Sequence, residues 1–326
     1  MIKFRKVLGG IALIAAGTAP LLVRARKGEL SPSFSAVRNR FAQDPSKFVK
    51  IAGANIHLRD EGDGPVMVMI HGAGTSLHLW NPWVALLRDR YRIVRFDMPP
   101  SPLTRDSQPL TPRRQFELLE GVIGELDLRD LILVGNSTGA NAAVNYAASH
   151  PENVRALALS TVPLYSPRPD QYRNPVVTAM NRISGALFPT YKPRWYYRAY
   201  VDDLIVDKSR ITEHFVAMYH ASSAAQGVIE SQAKYLASRR TPEGLKWVEN
   251  ERRNAGAVRC PTLIQWGDGN TVLLPDIGDK VAALFAKAPV ELIHYPDVGH
   301  YPSWEIPEKS VEDMELFLAE HGVGAS

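Results

Sequence analysis

Ser137 stands between two glycines, in Gly135-Asn136-Ser137-Thr138-Gly139, and this pentapeptide joins two different kinds of segment. Ahead of it runs the apolar stretch Leu131-Ile132-Leu133-Val134, which reads as a buried strand. Behind it, Ala140-Asn141-Ala142-Ala143-Val144-Asn145-Tyr146-Ala147 reads as a helix. A strand that turns sharply into a helix leaves no room for side chains beside its apex, so small residues belong on both shoulders and the serine hydroxyl points into open space. The chemistry this predicts is nucleophilic attack by Ser137 from an elbow. A second turn, His71-Gly72-Ala73-Gly74, follows the strand-like Val66-Met67-Val68-Met69-Ile70 and can offer the Ala73 N–H to a developing oxyanion, with the Thr138 N–H as the other donor. A third, Asp297-Val298-Gly299-His300-Tyr301-Pro302, follows the strand-like Val290-Glu291-Leu292-Ile293-His294-Tyr295 and makes His300 the candidate general base.

From about Phe48 to the C-terminus these pieces occur in the order of the α/β-hydrolase family, which the chain resembles. Besides the elbow, the likeness is carried by His71-Gly72-Ala73-Gly74, by Tyr91-Arg92-Ile93-Val94-Arg95-Phe96-Asp97-Met98-Pro99, and by Gly299-His300-Tyr301-Pro302-Ser303-Trp304-Glu305-Ile306-Pro307-Glu308. Gly135-Asn136-Ser137 and Gly299-His300 with Trp304-Glu305 look most like the carbon–carbon bond hydrolases of ring-cleavage products, a likeness shared with ester hydrolases. The resemblance implies an α/β class fold, with a mostly parallel twisted sheet flanked by helices and a helical cap inserted after the sixth strand. It implies a serine hydrolase acting on an ester-like acyl bond, or a carbon–carbon hydrolase using the same residues. Neither a metal nor an organic cofactor is implied.

The chain departs from the family at the acid. Members carry Trp-Gly-x-x-Asp after the seventh strand, whereas this sequence reads Trp266-Gly267-Asp268-Gly269-Asn270. An asparagine oxygen can accept the Nδ1–H of His300 but brings no charge to stabilise the imidazolium, and Asp-to-Asn at this position of a serine protease costs about 10⁴ in turnover. Two arrangements stay open: Asp268 supplies the carboxylate from a rearranged loop, or Asn270 supports a working Ser137–His300 pair. An acid after the sixth strand is set aside, because Arg155 to Pro163 contains no carboxylate. A catalytically silent relative that binds a lipid or a partner is the competing class, kept alive by Asn270.

The elements that must position these residues follow in alternation. Phe48 to Ile51 and Ala54 to Arg59 read as short antiparallel opening strands, Tyr91 to Phe96 as a strand after a helix around Trp80 to Arg88, and Thr111 to Leu126 as a helix opened by Thr111-Pro112. Asp97-Met98-Pro99-Pro100-Ser101-Pro102 takes the place of the family's glycine-rich loop, and its prolines stiffen one wall of the pocket mouth. The core is expected over 48–163 and 259–326, with the cap at 164–258. The cap is rich in aromatics, including Tyr165, Tyr172, Phe188, Tyr191, Trp195, Tyr196, Tyr197, Tyr200, Phe215 and Tyr219, most of them cap core. Such a cap suits an apolar or aromatic acyl substrate, while Arg168, Arg194 and Arg198 are candidates to grip a carboxylate.

The 326 residues, 45% of them apolar, suit one α/β domain with an insertion behind a leader. Cys260 is the single cysteine, which excludes an intrachain disulfide and reads as a small core residue. Residues 1–27 read as a membrane anchor: Lys3, Arg5 and Lys6 precede an uncharged run from Val7 to Val23, then Arg24, Arg26 and Lys27 follow. A cleaved signal, leaving a secreted or periplasmic protein, has a similar outline but lacks a good small-x-small cleavage site. Residues 28–47 read as a linker. The first fifty residues hold ten Lys and Arg against Glu29 and Asp44, so with a total of +4 the rest of the chain is net −4. No basic stripe remains to bind nucleic acid, and the segment Arg24 to Lys50 suits anionic headgroups. The partners expected are therefore a small acyl substrate and a membrane.

Overall fold

The structure, a computed structural model, describes residues 20–165, 175–187 and 189–325. Eight strands form one sheet: β1 (Lys47–Ile51), β2 (Ala54–Glu61), β3 (Val66–Ile70), β4 (Arg92–Phe96), β5 (Leu131–Asn136), β6 (Val154–Ser160), β7 (Thr262–Gly267) and β8 (Val290–Tyr295). Their order is β1-β2-β4-β3-β5-β6-β7-β8, and from β4 to β8 every neighbouring pair is parallel. Only β1–β2 and β2–β4 are antiparallel, as expected of the opening strands.

The central strands are apolar almost without a break because both sheet faces are covered. Met67, Met69, Ile93, Ile132, Val134 and Leu263 pack on one face, with helices Asn81–Leu87 and Pro307–Glu320. Val68, Ile70, Val94, Leu133, Leu157 and Trp266 pack on the other, with helices Pro112–Glu125, Thr138–Ser149 and Pro275–Ala282. The alternation within β3, Met67 and Met69 one way and Val68 and Ile70 the other, is the two-residue period of a strand. Thr111 caps the helix the sequence placed there, its Oγ1 accepting from the Arg114 N–H at 3.1 Å.

Chain order reverses at β3, since the path goes out to β4 and returns past β3 to β5. Loops leaving neighbouring strands on either side of such a reversal splay apart and open a crevice at the strand C-termini. Ile70 lies in register with Gly135, so the turn after β3 and the elbow after β5 are adjacent.

Between β6 and β7 the described chain is helical, with helices Pro175–Leu187, Arg194–Leu204, Glu213–Ala224, Val228–Ser238 and Pro242–Ala255. Tyr196, Tyr197, Phe215 and Tyr219 are buried there, whereas Trp195 is exposed; Tyr172 and Phe188 lie outside the described residues.

Two expectations about the N-terminal region need separate treatment. The stretch read as a linker is packed structure: helix Phe34–Phe41 buries Val37 and Phe41 in the core, and Ser33 Oγ caps it by accepting from the Ala36 N–H at 3.2 Å. Its polar flanks hid two apolar residues four apart, which is one helical face. The anchor expected over 1–27 falls mostly outside the described residues, of which 20–26 are helical. Among the described residues no helix is long and apolar enough to cross a membrane.

Candidate active site

Ser137 sits where β5 ends and helix Thr138–Ser149 begins, with φ +52° and ψ −124°. A non-glycine residue held there costs on the order of 1–3 kcal/mol and persists only where its surroundings fix it. Its own N–H donates to Ser160 O at 3.0 Å, and the glycines let neighbouring backbone close in. A Cβ on Gly139 would stand 2.2 Å from Ile70 O, and one on Gly135 would stand 2.5 Å from Ala140 Cα.

The His71–Gly74 turn abuts the serine. A Cβ on Gly72 would lie 2.9 Å from Ser137 Cβ. Thr138 is the first residue of its helix, so its N–H is among the donors that the helix cannot use. The turn is held from below. His71 Nδ1 donates to Gly72 O at 2.7 Å and its Nε2 accepts from Met98 N–H at 2.9 Å, while burial depresses the imidazole pKa and keeps that acceptor neutral.

Behind it lies a buried polar group that the sequence reading did not single out. Asp97 accepts from His57 Nδ1 at 2.9 Å and from the Leu77 N–H at 2.8 Å. Burial alone would raise the Asp97 pKa, but His57, His71 and the Leu77 N–H together hold it well below the usual carboxylate range. The only hint in sequence was an aspartate closing an apolar strand.

His300 follows β8 and is fully buried, and burial brings its pKa down to about 4. Its Nδ1 faces Asn270 Oδ1 at 3.2 Å. That oxygen also accepts from the N–H groups of Val272 (2.9 Å) and Leu273 (3.2 Å), which identifies it as the oxygen of the amide. Asn270 Nδ2 is buried without a partner. Asp268 is placed elsewhere: its Oδ1 is 2.6 Å from His294 Nδ1, on the half-buried outer edge of the sheet. Of the two candidates, the structure thus brings Asn270 and not Asp268 to His300.

Two further residues hold His300 in place, neither given a role from sequence. Asn136 Nδ2 donates to His300 O at 3.3 Å and to Thr161 Oγ1 at 3.1 Å, tying the His300 backbone to the residue before Ser137. Buried Glu305 accepts from Gly299 N–H at 2.8 Å through Oε1 and from Val206 N–H at 2.8 Å through Oε2. Its pKa is raised by burial, against the pull of these N–H groups. The cap strand of chain it holds also accepts the His300 N–H at Leu204 O, at 2.8 Å.

The cap closes over the crevice. Ser223 Oγ donates to Gly74 O at 2.8 Å, and a cleft of about 10 Å³ remains, walled by His71, Ala73, Pro99, Thr138, Gln232 and Tyr235. Pro99 and Pro100 both line it. Arg194 pairs with Glu213 and Arg198 donates to Ile211 O, so both are engaged away from this cleft; Arg168 lies outside the described residues. Among the described residues no group of His, Cys, Asp and Glu could hold a metal. Burial pushes the Cys260 thiol up to about 12, which leaves it unreactive.

A 2-hydroxy-6-oxononadienedioate/2-hydroxy-6-oxononatrienedioate hydrolase of Comamonas testosteroni is 26% identical over 278 residues, covering 80% of this chain and 91% of its own. A meta-cleavage product hydrolase of Pseudomonas fluorescens matches in structure with a TM-score of 0.66 at 21% identity, over 84% of this chain and 97% of its own. A membrane phospholipase A matches with a TM-score of 0.62 at 21% identity, over 99% of both chains. These structural likenesses establish the fold. The alpha/beta hydrolase fold model matches residues 65–307, well over half of the sequence, and the chain belongs to that family.

Proposed function

We propose that this hydrolase cleaves ester-like acyl bonds of apolar small molecules through an acyl-enzyme on Ser137. The observation that carries the reading is the strained Ser137 backbone, φ +52°, at the strand-to-helix junction with Gly72 directly against it. His300 removes the hydroxyl proton as Oγ attacks the acyl carbon, and the N–H groups of Ala73 and Thr138 receive the oxyanion. Collapse expels the alcohol, which takes the proton from His300. Water then gives its proton to His300 and attacks the acyl carbon, and the acid leaves as Ser137 recovers its hydrogen. Asn270 Oδ1 fixes the Nδ1–H tautomer throughout, so that Nε2 is the basic nitrogen.

A carbon–carbon hydrolase reading is favoured by the names of several relatives, some of them hydrolases of dioates and one of 2-hydroxy-6-oxo-6-phenylhexa-2,4-dienoate. A dianionic substrate needs cations, and among the described residues the cleft beside Thr138 has neither Lys nor Arg in its walls. Arg239, at the adjoining edge, is paired with Glu251 at 3.2 Å. The ester reading fits this lining better. The apolar run from Val7 to Val23, between basic clusters, further supports attachment to a membrane.

Treating the full-length protein with a fluorophosphonate and weighing it intact tests the reading. Single-site labelling that disappears in Ser137→Ala is expected, followed by turnover of aryl esters. A folded protein that takes no label would overturn it in favour of a silent binding relative, and turnover of a vinylogous diketone with no esterase activity would favour the second reading.

A further inference from the structure

Where the leader meets the folded domain is informative. Residues 20–26 form a helix at the end of the apolar run, leaving Leu21 and Val23 about half exposed, at 52% and 51%. This helix is fastened to the cap. Thr190 Oγ1 donates to Arg26 O at 2.9 Å and to Ala25 O at 3.2 Å, and Ser31 Oγ donates to Thr190 O at 3.4 Å. A few residues on, the Gln226 N–H donates to Pro32 O at 3.0 Å, between the two cap helices that overlie the cleft.

Thr190 lies in the turn between helices Pro175–Leu187 and Arg194–Leu204, which are tied together by the Tyr196 hydroxyl on Asn181. The same corner exposes Trp195 (55%) and Ile183 (49%), large apolar side chains flanked in sequence by exposed Arg182 and by Arg194, which pairs with Glu213, while Lys192 donates to Asn181 Oδ1 at 2.8 Å. Basic residues next to exposed aromatic and aliphatic ones are the composition that settles at a lipid headgroup layer. Arg24, Arg26 and Lys27 add to the positive charge on the leader side.

We propose that this cap corner, Ile183 and Trp195 with the Leu21–Lys27 helix, docks on an anionic phospholipid bilayer, so that the cap and the cleft beneath it face the lipid and acyl substrates enter from the membrane. The proposal rests on the membrane-attached reading above. A leader that left the domain on the opposite side of the sheet would carry the cleft away from the bilayer; the Thr190 contacts put its exit on the cap.

The test reconstitutes the full-length chain into vesicles of phosphatidylcholine and phosphatidylglycerol, with and without brominated acyl chains. Flotation and resistance to alkaline carbonate report attachment, and tryptophan emission reports contact. The expected result is bromolipid quenching of a component that Trp195→Phe removes, weaker in vesicles without phosphatidylglycerol. Vesicle-bound protein whose quenching is the same in wild type and Trp195→Phe overturns the docking. Protein that fails to float overturns attachment itself.

Discussion

At the scale of single residues, the feature that sets this site apart is an amide where a charge is expected. Asn270 offers His300 a correctly placed oxygen, already held by the Val272 and Leu273 N–H groups, but leaves Nδ2 buried with no acceptor. With no anion beside it, the fully buried ring is depressed to about 4. Activity that needs neutral His300 is therefore expected to persist in acid until that pKa. Asn270→Asp would place a carboxylate against Nδ1, favour the imidazolium and remove the unpaired amide. The expected outcome is a rise in kcat of at least about tenfold, within the ceiling of about 10⁴ set by the reverse change in a protease, and an acid limb of the kcat/KM profile displaced upward. Asp268→Asn should leave both within about twofold, because a half-exposed pair with His294 contributes at most about 1 kcal/mol and touches no reacting atom. Steady-state kinetics on the two variants over pH decides this. A rate lost in Asp268→Asn and unchanged in Asn270→Asp would reassign the acid.

At the scale of elements, the loop bearing His300 is fixed to the cap through Glu305. Its two oxygens accept from Gly299 on one side and from Val206 and Asp207 on the other, so the carboxylate bridges core and cap. Glu305→Gln would turn an NH₂ toward backbone donors, leaving at least one buried group unsatisfied at a cost of about 1–3 kcal/mol. A lower melting temperature with reduced kcat is expected, while Glu308→Gln, an exposed change nearby, should alter neither; thermal melts and ester turnover read both. The strands, the elbow and the loops bearing His71 and His300 were legible in sequence because each is a short local pattern: an apolar run, then glycine beside a polar residue. Glu305, Asn136 and Asp97 were not, since each acts on chain brought near only by folding. The same limit misread residues 28–47, where Val37 and Phe41 bury against elements far along the chain. The choice between Asn270 and Asp268 was likewise open in sequence, because two residues of loop turn one side chain inward to His300 and the other outward to His294.

At the scale of the whole molecule, the domain buries several histidines in neutral form, and this gives its stability a characteristic dependence on pH. His300 and His78 are each depressed from 6.5 to about 4, chiefly by burial, and His71 is lowered for the same reason. A histidine whose folded pKa lies below its unfolded value leaves the unfolded chain binding more protons between the two, so stability falls as pH drops through that window. Above pH 6.5 both states are neutral and nothing is lost. Between 6.5 and about 4, a shift of this size is worth about 3 kcal/mol per residue, at about 1.4 kcal/mol per unit. Asp97 acts lower, since its depressed pKa contributes stability that is lost only as pH falls below the ordinary carboxylate range. Urea melts of the full-length protein are therefore expected to show a nearly level midpoint above neutrality and a steep decline from about pH 6.5 to 4. His78→Asn should flatten that decline, because the amide cannot take up a proton, although it is too short to keep the 2.7 Å bond that His78 Nε2 makes to Phe41 O. A decline that begins only below about pH 4, unchanged in His78→Asn, would assign the acid sensitivity to carboxylates such as Asp97 instead of to the buried imidazoles.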